Sequence, residues 1–382
     1  MIFLNQTENK KKFYNLQKPH DMKNVILFLL FFMIASCHKK NEQVPAVIID
    51  DNYQCQTNAI IQFKTQNEIT TLFDNIIIEK LASSNAPDIN GAMSRNINAY
   101  FSVRFQMGIS NLADYAIDIQ NTIALEKVIK SIEYSFQYQL ANGDFQLVIP
   151  PNTNYPTPTE GDLASGNAFF LSSLGPALLA LEESTYYNGT LNISFKNRIE
   201  VLRPKIQAAL NYLTTKNAVL QVYDKDAPNR LFFDGLAFYS LGKWLNDTNG
   251  KVIGLNFAQL GISKKSPKGY FLEKGGWDSS YEGVGLSVSF KLLSILNTNE
   301  TIKQPLWDCL SCGTNWLKSR ILPSGEISTQ GNRRVFPGGE QFLGVPKTVA
   351  WKNTFLSLLN MRYLSGVEEY ASKANKVLTF YQ

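Results

Sequence analysis

The chain has 382 residues, 37 basic and 32 acidic, a formal charge of +5, and two histidines, His20 and His38. Beyond residue 36 the balance is 32 basic against 30 acidic residues with no run of five like charges, which argues against a nucleic-acid partner. With no histidine after His38, the rest of the chain excludes Ser-His-Asp and Cys-His centres, His-ligated zinc and a His general base, leaving carboxylates, Tyr, Lys and Arg; no motif points to a cofactor or a bound metal.

Met22-Lys23-Asn24 opens an apolar run from Val25 to Ile34, followed by Ala35-Ser36 and then Cys37. A basic start, an apolar segment of roughly 7–15 residues and small residues before a cleavage point make a secretory signal. The run falls short of the about 20 apolar residues that a membrane span needs. Ile34-Ala35-Ser36-Cys37 resembles the lipobox of bacterial lipoproteins. That resemblance implies a diacylated Cys37, with palmitate among its chains, as the mature N-terminus, and a lipid anchor in the cell envelope, expected on the outer membrane. Residues 1–21 are polar and basic and read as an extension ahead of a start at Met22, so 1–36 is extension plus signal peptide. Residues 37–66, with Pro45 and no clean periodicity, read as a tether.

From residue 67 to 382 apolar residues recur at helical spacing. Asn67 to Ser84 carries Ile69, Leu72, Phe73, Ile76, Ile77 and Leu81. Similar patterns occupy 95–107, 109–119, 123–141, 163–183, 195–219, 229–246, 280–297, 302–320, 347–364 and 367–381. Strand-like alternation is confined to pieces such as 145–149. Cys309-Leu310-Ser311-Cys312 lies in one helical pattern, where i and i+3 share a face; a local disulfide, two core cysteines and a redox pair all fit.

Leu140-Ala141-Asn142-Gly143-Asp144-Phe145 and Leu322-Pro323-Ser324-Gly325-Glu326-Ile327 close two helices alike, with a glycine at the turn and an apolar residue after it. Glu273-Lys274-Gly275-Gly276-Trp277-Asp278 has a related character. Helices of similar length joined by such turns predict an array of helical hairpins. The pattern resembles the (α/α) toroids of bacterial polysaccharide lyases and unsaturated glucuronyl hydrolases. The resemblance implies an all-α toroid of helical hairpins, complete or incomplete, over 67–382, and a glycan as substrate or ligand.

Four segments carry candidate chemistry. In Trp277-Asp278-Ser279-Ser280-Tyr281-Glu282, Ser279 or Ser280 can cap a helix; alternatively Trp277 and Tyr281 stack on a sugar while Asp278 or Glu282 is the acid or base. Arg333 and Arg334, in a Gly-rich loop before Glu340, can clamp a uronate carboxylate. In Thr159-Glu160-Gly161-Asp162, Asp162 reads as a helix N-cap. Asp234 sits inside an apolar helix, either catalytic or paired with Arg230 four residues earlier. Paired carboxylates suit glycoside hydrolysis. Tyr281 with Arg333 or Arg334 suits β-elimination from a uronate. The expected function is an envelope-anchored lipoprotein that hydrolyses or eliminates glycans, the alternative being a non-catalytic glycan binder or structural lipoprotein.

Overall fold

The computed structural model describes residues 53–382, apart from 85, 98, 152, 154 and 343; Cys37, the signal and most of the expected tether lie outside the described residues. The described chain is all-α, with one two-stranded hairpin, β1 (Gln341–Phe342) against β2 (Val345–Pro346).

Five helices form an inner layer, and one of them is buried on every side. In the longest of them, Glu160–Glu183, every residue from 164 to 181 is buried. A helix apolar on all sides needs neighbours on all sides. These inner helices are α3 (Ile109–Asp118), α5 (Glu160–Glu183), α8 (Pro228–Trp244), α10 (Ser279–Ile295) and α12 (Trp351–Ser365), packed against one another in that order. Each leads into an outer helix: α4 (Thr122–Gln137), α6 (Ile193–Thr215), α9 (Thr248–Ser263), α11 (Lys303–Ser319) and α13 (Glu369–Tyr381), each packed along the inner helix before it except α6, which leans more on α4. A short α7 (Asn217–Tyr223) continues α6. The gap between α12 and α3 is filled by α1 (Gln66–Thr70) and α2 (Asn75–Ser83). There Tyr363 Oη donates to the Leu72 carbonyl at 2.6 Å and its ring lies 5.6 Å from Phe73. The result is an (α/α) toroid of five full hairpins and a shortened sixth.

One turn recurs where the chain passes from outer to inner layer. In Leu140–Asp144 the Leu140 N–H bonds the Asp144 carbonyl at 2.8 Å and the Gly143 N–H bonds the Leu140 carbonyl at 3.0 Å. The same two bonds form in Asp88–Ala92, Ser266–Tyr270 and Leu322–Glu326. The third residue after the start is always glycine, with φ between +90° and +99°. A Cβ on Gly91, Gly143, Gly269 or Gly325 would collide with a backbone carbonyl of the next outer helix, at Lys130, Ala208, Cys312 or Lys376 respectively. Glycine is therefore required twice, by conformation and by the close approach that sets the spacing between hairpins. The expected third member at Gly275 is not one of these turns; a Cβ there would meet nothing within 4 Å.

Three further expectations are corrected. Residues 95–107 form turns and a single 3₁₀ turn (Val103–Phe105), because side chains claim the backbone: Gln106 accepts from the Met93 N–H at 2.7 Å and Asn96 from the Ser102 N–H at 2.8 Å. The helix expected from 347 begins at Trp351, since Lys347 follows strand β2. Helix α9 was not anticipated, because Gly250, Gly254 and Gly261 dilute its pattern while letting α8 approach closely.

Cys312 is bridged to Cys55, with Cα atoms 5.1 Å apart, and Cys309 stays a buried thiol whose pKa burial pushes up. Neither a local bond nor a redox pair within the CxxC forms. Residues 55–61 lie as a strap across the outer wall. The Asn58 N–H bonds Ser311 Oγ at 2.5 Å, Trp307 Nε1 bonds the Asn58 carbonyl at 2.9 Å, and the Ile61 N–H bonds the Leu364 carbonyl at 2.9 Å.

Candidate functional site

The charged groups of the ring gather near the starts of the inner helices. The N-cap of α10 is Asp278, neither Ser279 nor Ser280. Its Oδ1 accepts from the Ser280 and Tyr281 N–H groups at 3.1 Å, and its Oδ2 from those of Arg334 and Val335 at 2.8 Å. Both oxygens of Asp278 are thus spent on backbone, and the side chain clamps the 328–340 loop to the helix start. Asn332 completes the clamp, accepting from the Ser279 N–H at 2.9 Å and donating to the Val335 carbonyl at 2.8 Å.

That clamp delivers Arg334 onto Tyr281, with the guanidinium carbon 3.8 Å from the ring centroid. Arg334 Nε and Nη2 each reach Glu340 at 2.9 Å, and Nη1 bonds Glu273. The hairpin after Glu340 returns Lys347, whose Nζ donates to Tyr281 Oη at 2.6 Å and lies 3.0 Å from Glu340 Oε1. Tyr281 Oη in turn donates to Glu340 Oε2 at 3.0 Å. Burial raises the Tyr281 pKa despite Arg334, so the phenol keeps its proton at neutral pH. Burial also opposes ionisation of Glu340, but hydrogen bonds from Arg334 and Lys347 outweigh it and pull the carboxyl down to about 2. Burial lifts the Glu273 pKa, with Arg334 acting against the rise.

A second cluster adjoins. Arg230 Nη1 bonds Asp224 at 3.0 Å, and its guanidinium lies 5.2 Å from the Tyr223 ring. Arg230 therefore pairs with Asp224 and not with Asp234. Tyr223 Oη donates to Asp162, which is not the N-cap expected from the sequence: Thr159 caps α5, and Asp162, three residues on, closes the capping box by accepting from the Thr159 N–H. Arg104 stands between the clusters, 4.8 Å from the Phe169 ring. Its pKa is lowered, first by burial and then by Arg230, while Tyr281, Tyr223 and Asp162 act the other way. Arg104 borders a cleft of about 830 Å³ whose walls include Tyr100, Phe105, Tyr155, Asp162 and Asn167. The Tyr100 and Tyr155 rings meet edge to face at 5.3 Å.

The structure thus brings Tyr281 and Arg334 together and separates the other sequence candidates. Trp277 is wedged against Tyr270 at 5.7 Å and donates from Nε1 to the Gln330 carbonyl at 3.3 Å. Arg333 is exposed, its N–H on the Trp277 carbonyl at 3.0 Å. Glu282 points between α10 and α11, accepting the Phe271 N–H at 2.8 Å, and burial drives its pKa far up. Asp234 is 1% exposed, neither oxygen has a hydrogen-bond partner, and burial followed by Asp224 raises its pKa strongly. At about 100° per residue it lies far around α8 from Phe233 and Leu236, which line the ring's interior. Asp234 and Glu282 are core acids in this geometry, and burial disfavours their ionised forms. Lys347, Arg104, Tyr100 and Tyr155 were missed by sequence reasoning: each comes from an irregular segment, and no spacing links them to Tyr281.

No protein-family model matches the chain, and no curated protein matches it. Among solved structures it is similar to a D-mannose isomerase (11% identity over 83% of this chain and 86% of that one, TM-score 0.48). It is also similar to a sugar epimerase from a ruminal bacterium (10% identity, 82% and 92% covered, TM-score 0.45). A third likeness is to a mutant unsaturated glucuronyl hydrolase from Streptococcus agalactiae (10% identity, 83% and 99% covered, TM-score 0.33). At these identities no residue role is carried over from them.

Proposed function

We propose that this chain is an enzyme acting on a saccharide at the mouth of the helical ring, with Tyr281 as the proton-carrying group. The observation that carries the reading is the phenol of Tyr281, hydrogen-bonded to both the Lys347 ammonium and the ionised Glu340 carboxylate, and within electrostatic reach of Arg104 on the edge of an aromatic-walled cleft. Hydrolysis and β-elimination both require a proton at the departing glycosidic oxygen, and a protonated phenol flanked by two cations can supply it as a general acid. Tyr100, Tyr155 and Phe105 offer flat apolar faces for the C–H faces of sugar rings, and Asp162 and Asn167 offer polar atoms for hydroxyls. Arg334, held by Glu273 and Glu340, positions Tyr281 and is not available to clamp a uronate.

Screening purified protein on neutral and uronate oligosaccharides, reading reducing ends and unsaturated products separately, tests the reaction. Tyr281→Phe is expected to lower kcat by about 100-fold or more with little change in melting temperature; full activity in that variant would remove the assignment. A non-catalytic glycan binder is the second reading, favoured by the commitment of Asp278 and Arg334 to structural bonds. The proposal includes a lipid on Cys37 and anchorage in the cell envelope, supported by the signal-like run before it. Cys37→Ser should move the protein from the membrane to the soluble fraction, and retention on the membrane would argue against the lipid.

A further inference from the structure

The outer wall holds a group of sulfurs that the mouth does not use, and one ammonium stands over them. Lys265 Nζ lies 3.7 Å from Cys312 Sγ and 4.0 Å from Cys55 Sγ, the two halves of the strap's disulfide. The glycine turn puts it there. Lys265 directly precedes Ser266–Tyr270, whose Gly269 comes so near α11 that a Cβ on it would stand 3.0 Å from the Cys312 carbonyl oxygen and 3.2 Å from the Cys312 Cβ. On either side of the turn the backbone is held, the Lys265 N–H on the Ile262 carbonyl at 3.0 Å and the Leu272 N–H on the Lys264 carbonyl at 2.9 Å.

The two sulfurs of the bridge differ in access. Cys55 belongs to the strap and is partly exposed, whereas Cys312 is fully buried in α11. Thiol–disulfide exchange begins when a thiolate attacks one sulfur and expels the other as a thiolate, and the lower the pKa of the departing thiol the faster it leaves. Access selects Cys55 as the sulfur attacked, so Cys312 is the one that departs. A thiolate released into a buried site is strongly disfavoured unless a cation meets it, and Lys265 is that cation. Cys309, three residues before Cys312, does not compete as an internal nucleophile. It is buried, and burial raises its pKa, with Lys265 acting against the rise, so it stays a protonated thiol.

We propose that the Cys55–Cys312 bridge is a reversible latch, opened in the folded protein by a small external thiol that attacks Cys55 Sγ while Lys265 stabilises the departing Cys312 thiolate. A monothiol leaves a mixed disulfide on Cys55, and the Cys312 thiolate takes a proton from solvent. With a dithiol, the second thiolate attacks the reductant's own sulfur in that mixed disulfide. The reductant departs as a cyclic disulfide, Cys55 is freed as a thiol, and two electrons have passed to the bridge. The strap then rests on hydrogen bonds alone, among them Asn315 Nδ2 to the Gln56 carbonyl at 2.7 Å and Asn58 Nδ2 to Tyr370 Oη at 2.6 Å. Residues 55–61 change from part of the wall into chain that lifts from it, and Trp307 and Tyr370 lose their cover. The inference does not depend on the role of Tyr281.

The test follows bridge opening in the folded full chain by 2-mercaptoethanol and by dithiothreitol, with acid quenching, alkylation of free thiols and mass spectrometry of the cysteine peptides. The rate is expected to rise linearly with thiol concentration, and the 2-mercaptoethanol adduct to sit on Cys55. Lys265→Gln should slow opening about three- to tenfold at an unchanged melting temperature, and Lys265→Arg should restore most of the rate. Adduct position and concentration dependence are read on the unaltered protein, so the test stands whether or not a variant folds. A rate that saturates with thiol, which would mean prior unfolding, overturns the proposal. So does an adduct on Cys312, or equal rates with and without the Lys265 ammonium.

Discussion

Asp234 shows how one carboxyl can look catalytic and be structural. A carboxyl in an apolar helix is costly to ionise, so it is either paired, functional or protonated. Here it is fully buried with no hydrogen-bond partner, on a helix face turned from the cavity, and its pKa is raised by burial, then by Asp224. A group whose folded pKa lies above its unfolded value contributes stability at low pH and loses it as pH rises through the folded value. Asp234→Asn is therefore expected to leave stability near pH 4 almost unchanged and to raise it by roughly 1–3 kcal/mol at neutral pH. Urea unfolding at the two pH values checks this; a loss of stability at neutral pH would mean the carboxylate is ionised and usefully paired. The sequence displayed Asp234, Glu282 and Tyr281 as equals, because residue type does not reveal which way a side chain points. Glu282 follows Tyr281 immediately, yet one step of about 100° around the helix separates the mouth from the inter-helix core.

At the scale of elements, what was legible was the turn and what was illegible was the irregular chain. Gly143 and Gly325 could be matched by eye, since both follow similar letters and precede an apolar residue. Gly269 follows Ser266-Pro267-Lys268 and shares only its glycine, yet makes the same two hydrogen bonds. Backbone geometry and the neighbouring helix select this turn, and its flanking side chains are nearly free. Gly325→Ala must therefore suffer both a φ of +95° and a clash with the Lys376 carbonyl. We expect a cost of about 2–4 kcal/mol, measurable as a lower urea midpoint, whereas Gly338→Ala, with nothing within 4 Å, carries only the conformational strain. The hairpin that brings Glu340 and Lys347 together escaped notice because its strands are two residues each, too short for alternation to register.

At the scale of the molecule, the helical hairpins were legible in the repeating periodicity and the toroid was implied by family resemblance, whereas the closing contacts and the strap were not legible, for both depend on contacts remote in sequence. The Cys55–Cys312 bond spans 257 positions. A loop of that length implies an upper bound of about 5 kcal/mol by chain entropy, discounted here because residues 55–61 are also held by hydrogen bonds. Cys55→Ser should lower the melting temperature under oxidising conditions and make it indifferent to reductant; a wild-type melting curve that ignores reductant would show the bond to be energetically idle. The strap also fixes how the molecule bears force. Tension on the chain ahead of Cys55 reaches α11 through a covalent bond at Cys312, in the middle of a helix wedged between two others. Without that bond the same pull would peel the strap away one hydrogen bond at a time, like tape lifted from its end. With it the load falls on the whole width of the wall at once, and the ring is hung from a rivet.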